Sequence, residues 1–162
     1  MNTKALALYI GGVALLLGVI VFFGSRGAVS SQFTSTSPNR PIAEVAKTSE
    51  DFGKMTNKDI KNTIFTIKNS GKSELVLSQV STSCDCTYVF ITASGQKSPK
   101  FTMHGRTNWV GKVAPNEVAQ VEVIYEPAIM PVNGAVERMV MVTTNDPNKP
   151  IVEFKINADV KD

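Results

Sequence analysis

From Ile42 to the C-terminus, apolar residues recur at every second position in short runs, and turn residues cut those runs at close intervals. Successive side chains of a strand point to opposite faces, so this period builds one apolar and one polar face. A helix would need apolar spacings of three and four. Thr63, Phe65 and Ile67 alternate with Ile64, Thr66 and Lys68 before Asn69, Ser70 and Gly71 turn the chain. Leu75, Leu77 and Val80 follow, and Tyr88, Phe90 and Thr92 then alternate with Val89 and Ile91. Val121, Val123 and Tyr125 run up to Pro127, which has no N–H to give a ladder. Val136, Arg138, Val140 and Val142 face one way, with Glu137, Met139, Met141 and Thr143 opposite. Phe154, Ile156, Ala158 and Val160 close the chain, and their other face, Glu153, Lys155, Asn157 and Asp159, is polar throughout and meets water.

About seven or eight such strands over residues 42–162 predict an all-β chain, an Ig-like antiparallel β-sandwich. A barrel is the second choice. No stretch after residue 23 sustains helical periodicity with caps. Of the 17 basic residues, Lys4, Arg26 and Arg40 all precede the first acid, Glu44, so residues 41–162 balance and only the N-terminal part is basic. A neutral domain has no cationic face to displace counterions from phosphates, which argues against nucleic acid as a partner. One histidine and two cysteines cannot supply the four ligands of a closed structural zinc site.

Ala5–Phe23 reads ALALYIGGVALLLGVIVFF, with no charged residue and no Asn, Gln, Ser or Thr. A bilayer core needs roughly 20 apolar residues in a helix, whereas a cleavable signal has a shorter apolar core and a small-residue cleavage pattern. GSRGAV follows here without A-x-A, so residues 1–23 are expected to form an uncleaved transmembrane anchor. The alternative is a cleaved signal that leaves a secreted or periplasmic protein. Lys4 and the amino terminus against Arg26 orient the anchor with its N-terminus in the cytoplasm and the following domain outside. Residues 24–41 contain 11 Gly, Ser, Thr or Pro in 18 positions and no apolar period, which predicts a flexible linker. By coil scaling it reaches roughly 20 to 25 Å. Residues 42–162 are then the folded domain.

Cys84 and Cys86 carry the most distinctive chemistry. In an extended strand, residues two apart share a face and their Cα atoms lie about 6.5 to 6.8 Å apart, the far edge of disulfide range. Three readings stay open: structural sulfurs, buried or in a static disulfide; a redox pair outside the cytoplasm; or two thiolates that take Cu or Zn with help from Met103 and His104. The structural reading expects no cofactor. His104, the one histidine, is expected to bond backbone in a loop. Phe101 and Trp109 flank the same loop and are either core or an exposed binding anchor. Met139 and Met141 read as gap-fillers. Gly71-Lys72-Ser73 lacks the earlier glycine and the strand-to-helix setting of a phosphate loop. No nucleophile elbow or triad stands out, so no catalytic residue is assigned.

Six motifs stand in order: Phe52-Gly53, Phe65 to Gly71, Ser83-Cys84-Asp85-Cys86-Thr87, Ala114-Pro115-Asn116-Glu117, Tyr125-Glu126-Pro127 and Thr144-Asn145-Asp146-Pro147. Together they resemble the bacterial domain of unknown function 1573 family across most of residues 45–160. The resemblance implies an exported Ig-type sandwich related to Hydin, major sperm protein and PapD-like domains, and no settled activity. Two features depart from the family pattern. Pro115-Asn116-Glu117 stands where the family has Pro-Gly-Glu, and Gly95–Lys112 is longer than the family's short form. The expected function is a non-catalytic, membrane-anchored interaction module or envelope scaffold whose partner is a protein of the cell envelope. Thiol-redox or copper binding at Cys84 and Cys86 is the alternative.

Overall fold

The computed structural model describes residues 33–105 and 107–161. Ten strands form: β1 (Ala43–Glu44), β2 (Ser49–Met55), β3 (Lys61–Asn69), β4 (Leu75–Thr82), β5 (Thr87–Ala93), β6 (Gln96–Lys97), β7 (Gly111–Val113), β8 (Val118–Tyr125), β9 (Gly134–Thr144) and β10 (Ile151–Val160). They make two five-stranded sheets. The first runs in the order β1-β3-β8-β5-β6 and the second in the order β2-β10-β9-β4-β7. A single 3₁₀ turn, Pro127–Ile129, is the one helical element among the described residues. The anchor reading of residues 1–23 and residues 24–32 of the linker lie outside the described residues.

Alternation drives the assembly. Along β10, Val152, Phe154, Ile156, Ala158 and Val160 are buried while Ile151 and Glu153 are exposed. β9 turns its Val140 and Val142 inward opposite β4, and β3 turns in Phe65 and Ile67. The sheets meet through a stacked ring pair, Phe65 on β3 and Phe154 on β10, with centroids 4.7 Å apart. An apolar layer of this kind, shared by two inner faces, is what holds a sandwich closed.

Two expectations are corrected. The described residues form ten strands rather than seven or eight, because β1, β6 and β7 have only two or three residues each, too short to show a period in sequence. The sandwich is also not wholly antiparallel, since β2 pairs parallel with β10 from Ser49↔Lys155 to Met55↔Val160. The chain leaves β1 after two residues and crosses to the other sheet, so β2 enters beside the last strand and in the same direction.

The described end of the linker is hydrogen-bonded to the domain. Lys72 N–H donates to Arg40 O at 3.2 Å, and the Ser73 hydroxyl donates to Asn39 O. Arg40 Nη1 lies 3.2 Å from Asp146 Oδ1, and the buried Asp146 also accepts Ala43 N–H at 2.9 Å. Gly71 permits this crossing. A Cβ there would stand 2.5 Å from Ile42 N and 2.7 Å from Pro41 C, and both are backbone atoms that cannot swing aside. The chain therefore enters at the end holding the β3–β4 and β9–β10 turns.

Candidate functional site

Cys84 and Cys86 lie in the turn between β4 and β5, not in an extended strand. The expectation of two sulfurs displayed on one strand face is thereby corrected. Thr82 Oγ1 donates to Cys84 O at 2.8 Å and Thr87 N–H donates to the same oxygen at 3.3 Å, which bends the backbone. The bend brings the Cα atoms to 5.3 Å, within ordinary disulfide range, and the two sulfurs are bonded to each other. Both residues are buried, Cys86 completely. A soft metal would need two free thiolates, and here each sulfur has the other as its partner. Among the described residues no three His, Cys, Asp or Glu side chains are grouped so as to hold a metal ion.

The loop does carry His104 to this turn, where the Nδ1 of its largely exposed ring lies 3.0 Å from Oδ2 of the partly exposed Asp85. Met103 goes elsewhere. It lines a cleft of about 590 Å³ with Gln79, Val80, Ser81, Met141 and Thr143, and neither cysteine contributes to that lining. The structure thus separates Met103 from the other three grouped residues. Met141 meets this cleft rather than a neighbouring sheet, because its face of β9 looks outward.

Phe101 is only 1% exposed, so its reading as an exposed anchor is corrected. After β6 the chain runs back along β5, with Phe101 and Val89 exchanging N–H···O bonds at 2.9 and 3.0 Å, and this return places Phe101 in the core. Trp109 packs edge-to-face on it at 5.4 Å and covers Gly111, where a Cβ would come within 2.7 Å of Trp109 Cζ2.

The edges of the two sheets differ sharply in how they are covered. β5 is covered by β6 and by the segment ending at Phe101. β2 is kinked at Gly53, whose φ is +63°, and its Phe52 and Lys54 carbonyls accept the Lys61 ammonium. β3 is left open. Among the described residues, β1 pairs only with Lys68 and Asn69, and Lys61 to Ile67 have a strand neighbour on the β8 side alone.

The hydrogen-bond parity shows which groups face outward. Asn69 N–H donates to Glu117 O and Asn69 O accepts from Asn116 N–H, both on the β8 side, whereas Ser70 N–H turns to Ile42 O on the β1 side. Odd residues of β3 therefore bond β8, and the backbone groups of Asn62, Ile64 and Thr66 point into the open edge. Ile64 is 54% exposed at its centre.

Side chains close the seam between β3 and β2 without covering that edge. Thr63 Oγ1 donates to Glu50 Oε2 at 3.2 Å. The Lys47 ammonium, followed by the Thr63 hydroxyl, holds the Glu50 carboxyl below its ordinary range. On the outer face of the first sheet, Glu122 stands between Ile64 and Phe90 and pairs with Lys97 at 3.0 Å, while Lys97 Nζ lies 4.4 Å from the Phe90 ring centroid. Burial, then the Glu126 carboxylate, pushes the Tyr88 phenol up. In sequence, the signal for this edge is an isoleucine on a polar face inside a run, Asn62–Ile67, that carries no charge.

Residues 43–100 match the model of the family described as Protein of unknown function (DUF1573). The match takes in β1 to β6 and the cysteine turn, and it stops inside the long segment Gly95–Lys112. The motifs at Ala114, Tyr125 and Thr144 lie beyond it. No curated relative matches the chain. Among solved structures, a protein of unknown function from Porphyromonas gingivalis W83 is similar with a TM-score of 0.57 and 17% identity. The alignment covers 76% of this chain and 49% of that one, so the chain spans about half of that relative. The ASH / PapD-like domain of human CEP192 (PapD-like domain 7) is similar with a TM-score of 0.52 and 14% identity, over 83% of this chain and 96% of that one. Part of a family 123 glycoside hydrolase from Clostridium perfringens is similar with a TM-score of 0.51 and 11% identity, over 71% of this chain but 23% of the hydrolase. At these identities the likeness is one of fold.

Proposed function

We propose, from a domain whose residues 43–100 carry the DUF1573 match, that this protein is a non-catalytic interaction module. In this reading it is anchored to the membrane by residues 1–23, displayed outside the cytoplasm, and binds a protein of the cell envelope by strand addition at β3. The observation that carries the reading is the open edge itself: the outward N–H and C=O groups of Asn62, Ile64 and Thr66 supply affinity, and Ile64 sets register. An anchored linker raises local concentration, so a weak edge contact suffices. The hydrolase likeness covers under a quarter of that enzyme and lends no activity to this chain.

Thr66→Pro tests the edge. The Thr66 N–H points away from β8, so proline removes an outward donor and leaves the β3–β8 ladder intact, and an edge position is where a strand tolerates it. The full chain recovered from membranes is expected to lose its co-purifying partner by roughly tenfold or more, about 1.4 kcal/mol, while its thermal midpoint changes little. Unchanged recovery would count against edge addition.

The thiol or copper alternative is favoured by one observation, the approach of His104 to Asp85 within the Cys84–Cys86 turn. It first requires reduction of the bond. A free-thiol count with metal analysis, before and after glutathione, is expected to find both sulfurs protected and no stoichiometric copper or zinc. Ready opening by glutathione, with metal then bound, would reverse the ranking of the two readings.

A further inference from the structure

The geometry points to a second copy of this chain as the occupant of the β3 edge, paired antiparallel about a two-fold axis through Ile64. This rests on the edge reading above and names its partner. Strand β3 is self-complementary in that arrangement. With Ile64 opposite Ile64 of the second copy, Asn62 falls opposite Thr66 and Thr66 opposite Asn62. These are the residues whose backbone groups face outward, so about six N–H···O bonds form without any rearrangement of the β3–β8 ladder.

The side chains agree with the same register. On the outer face the half-exposed Ile64 covers its own counterpart, and an amide meets a hydroxyl on either side. Charge agrees too. Lys61 and Lys68 bracket the uncharged run, and in this register Lys61 lies opposite Ile67, so no lysine opposes a lysine. Pairing stops where β1 begins. Glu44 occupies the place opposite Lys68, so the second strand fits only along Lys61–Ile67. At the β2 edge the strand is kinked at Gly53 and its Phe52 and Lys54 carbonyls are taken by the Lys61 ammonium, whereas no described strand lies beyond β3 along Lys61–Ile67. The joined sheets would make one continuous layer of ten strands, two sets of the five now present.

An edge this short buries far less than the ~1,200 Å² of a stable free interface, so the pair is weak in dilute solution and forms where chains are concentrated. The test therefore uses the full chain in the membrane of the cell that makes it. Directly opposed residues of a hydrogen-bonded pair have Cα atoms about 5.5 Å apart, within disulfide range. Ile64→Cys is expected to give a reductant-sensitive dimer in roughly tenfold excess over Glu153→Cys, placed on the exposed outer face of β10. Asn62→Cys and Thr66→Cys, each alone, place like cysteines about 13 Å apart and stay monomeric, whereas co-expression of the two restores the dimer. A monomeric Ile64→Cys, or a Glu153→Cys dimer of equal yield, overturns the proposal. Replacing Ile64 by p-benzoylphenylalanine separates the two levels. Adducts of twice the chain mass support self-pairing. Adducts of another mass overturn self-pairing and leave the edge reading standing. Absence of any adduct overturns both.

Discussion

Phe154→Ala is expected to destabilise the folded domain by about 3 to 5 kcal/mol, the range for truncating a fully buried ring. Phe154 is fully buried on β10 and stacks on Phe65 of β3 with centroids 4.7 Å apart, so its ring fills space between the two sheets. Truncation removes the transfer free energy of the ring and leaves a void that two hydrogen-bonded sheets cannot collapse to fill. Urea unfolding of wild type and variant, read by circular dichroism, checks the value. The expected result is a lower midpoint at unchanged slope. Phe154→Leu keeps most of the volume and should recover more than half of the loss. A loss below about 1 kcal/mol for the alanine variant would mean that the stacked pair does not hold the sheets together.

The residues that make this pair were legible in sequence because each sits in a long run with a clean period. The inward sets of β3, β9 and β10 follow from alternation alone, since one buried face fixes register and a slip by one residue would expose it. β2 was not legible for the converse reason. Ser49-Glu50-Asp51-Phe52-Gly53-Lys54-Met55 is an edge strand with only Met55 buried, so it has little apolar face to betray a period, and its parallel pairing with β10 depends on where the chain crosses. The short strands β1, β6 and β7 are defined by pairing partners rather than by their own residues.

The same distinction separates the candidate sites. Cys84 and Cys86 announced themselves by residue type, but whether two residues two apart sit in a strand or a turn is decided by the bonds that Thr82 and Thr87 make to Cys84 O. Phe101 read as a loop aromatic because its burial comes from a return pairing with Val89 across the β5 edge. The β3 edge left a faint trace, Ile64 among polar neighbours. That the edge is open depends on β1 ending after Glu44, a fact about chain path that no local pattern encodes.

Asn69→Ala should cost about 3 kcal/mol or more, although it removes no apolar surface. Asn69 is completely buried at the end of β3, and its amide serves four backbone groups. Nδ2 donates to Ser73 O at 2.8 Å and to Val113 O at 2.9 Å, while Oδ1 accepts Gly71 N–H at 3.0 Å and Ile42 N–H at 3.4 Å. One side chain thus ties the β3–β4 turn to β7 and to the segment that enters the domain. Alanine leaves those groups in a space too enclosed to offer each a water, and each orphan carries a desolvation cost of about 1 to 3 kcal/mol.

Asn69→Asp gives a sharper test because it keeps shape and changes only donors. The carboxylate would face the two carbonyls that Nδ2 now serves, so the charged form is disfavoured and the folded-state pKa of the new acid rises above its unfolded value. The unfolded state then loses its proton first as pH increases. Stability is highest below about pH 4 with respect to this group and falls as pH rises from there to the raised folded value. Subtracting the wild-type unfolding curve from that of Asn69→Asp between about pH 3 and 8 isolates this dependence. A difference that is flat, or that grows in favour of the aspartate at high pH, would mean that Ser73 O and Val113 O do not depend on the Asn69 amide.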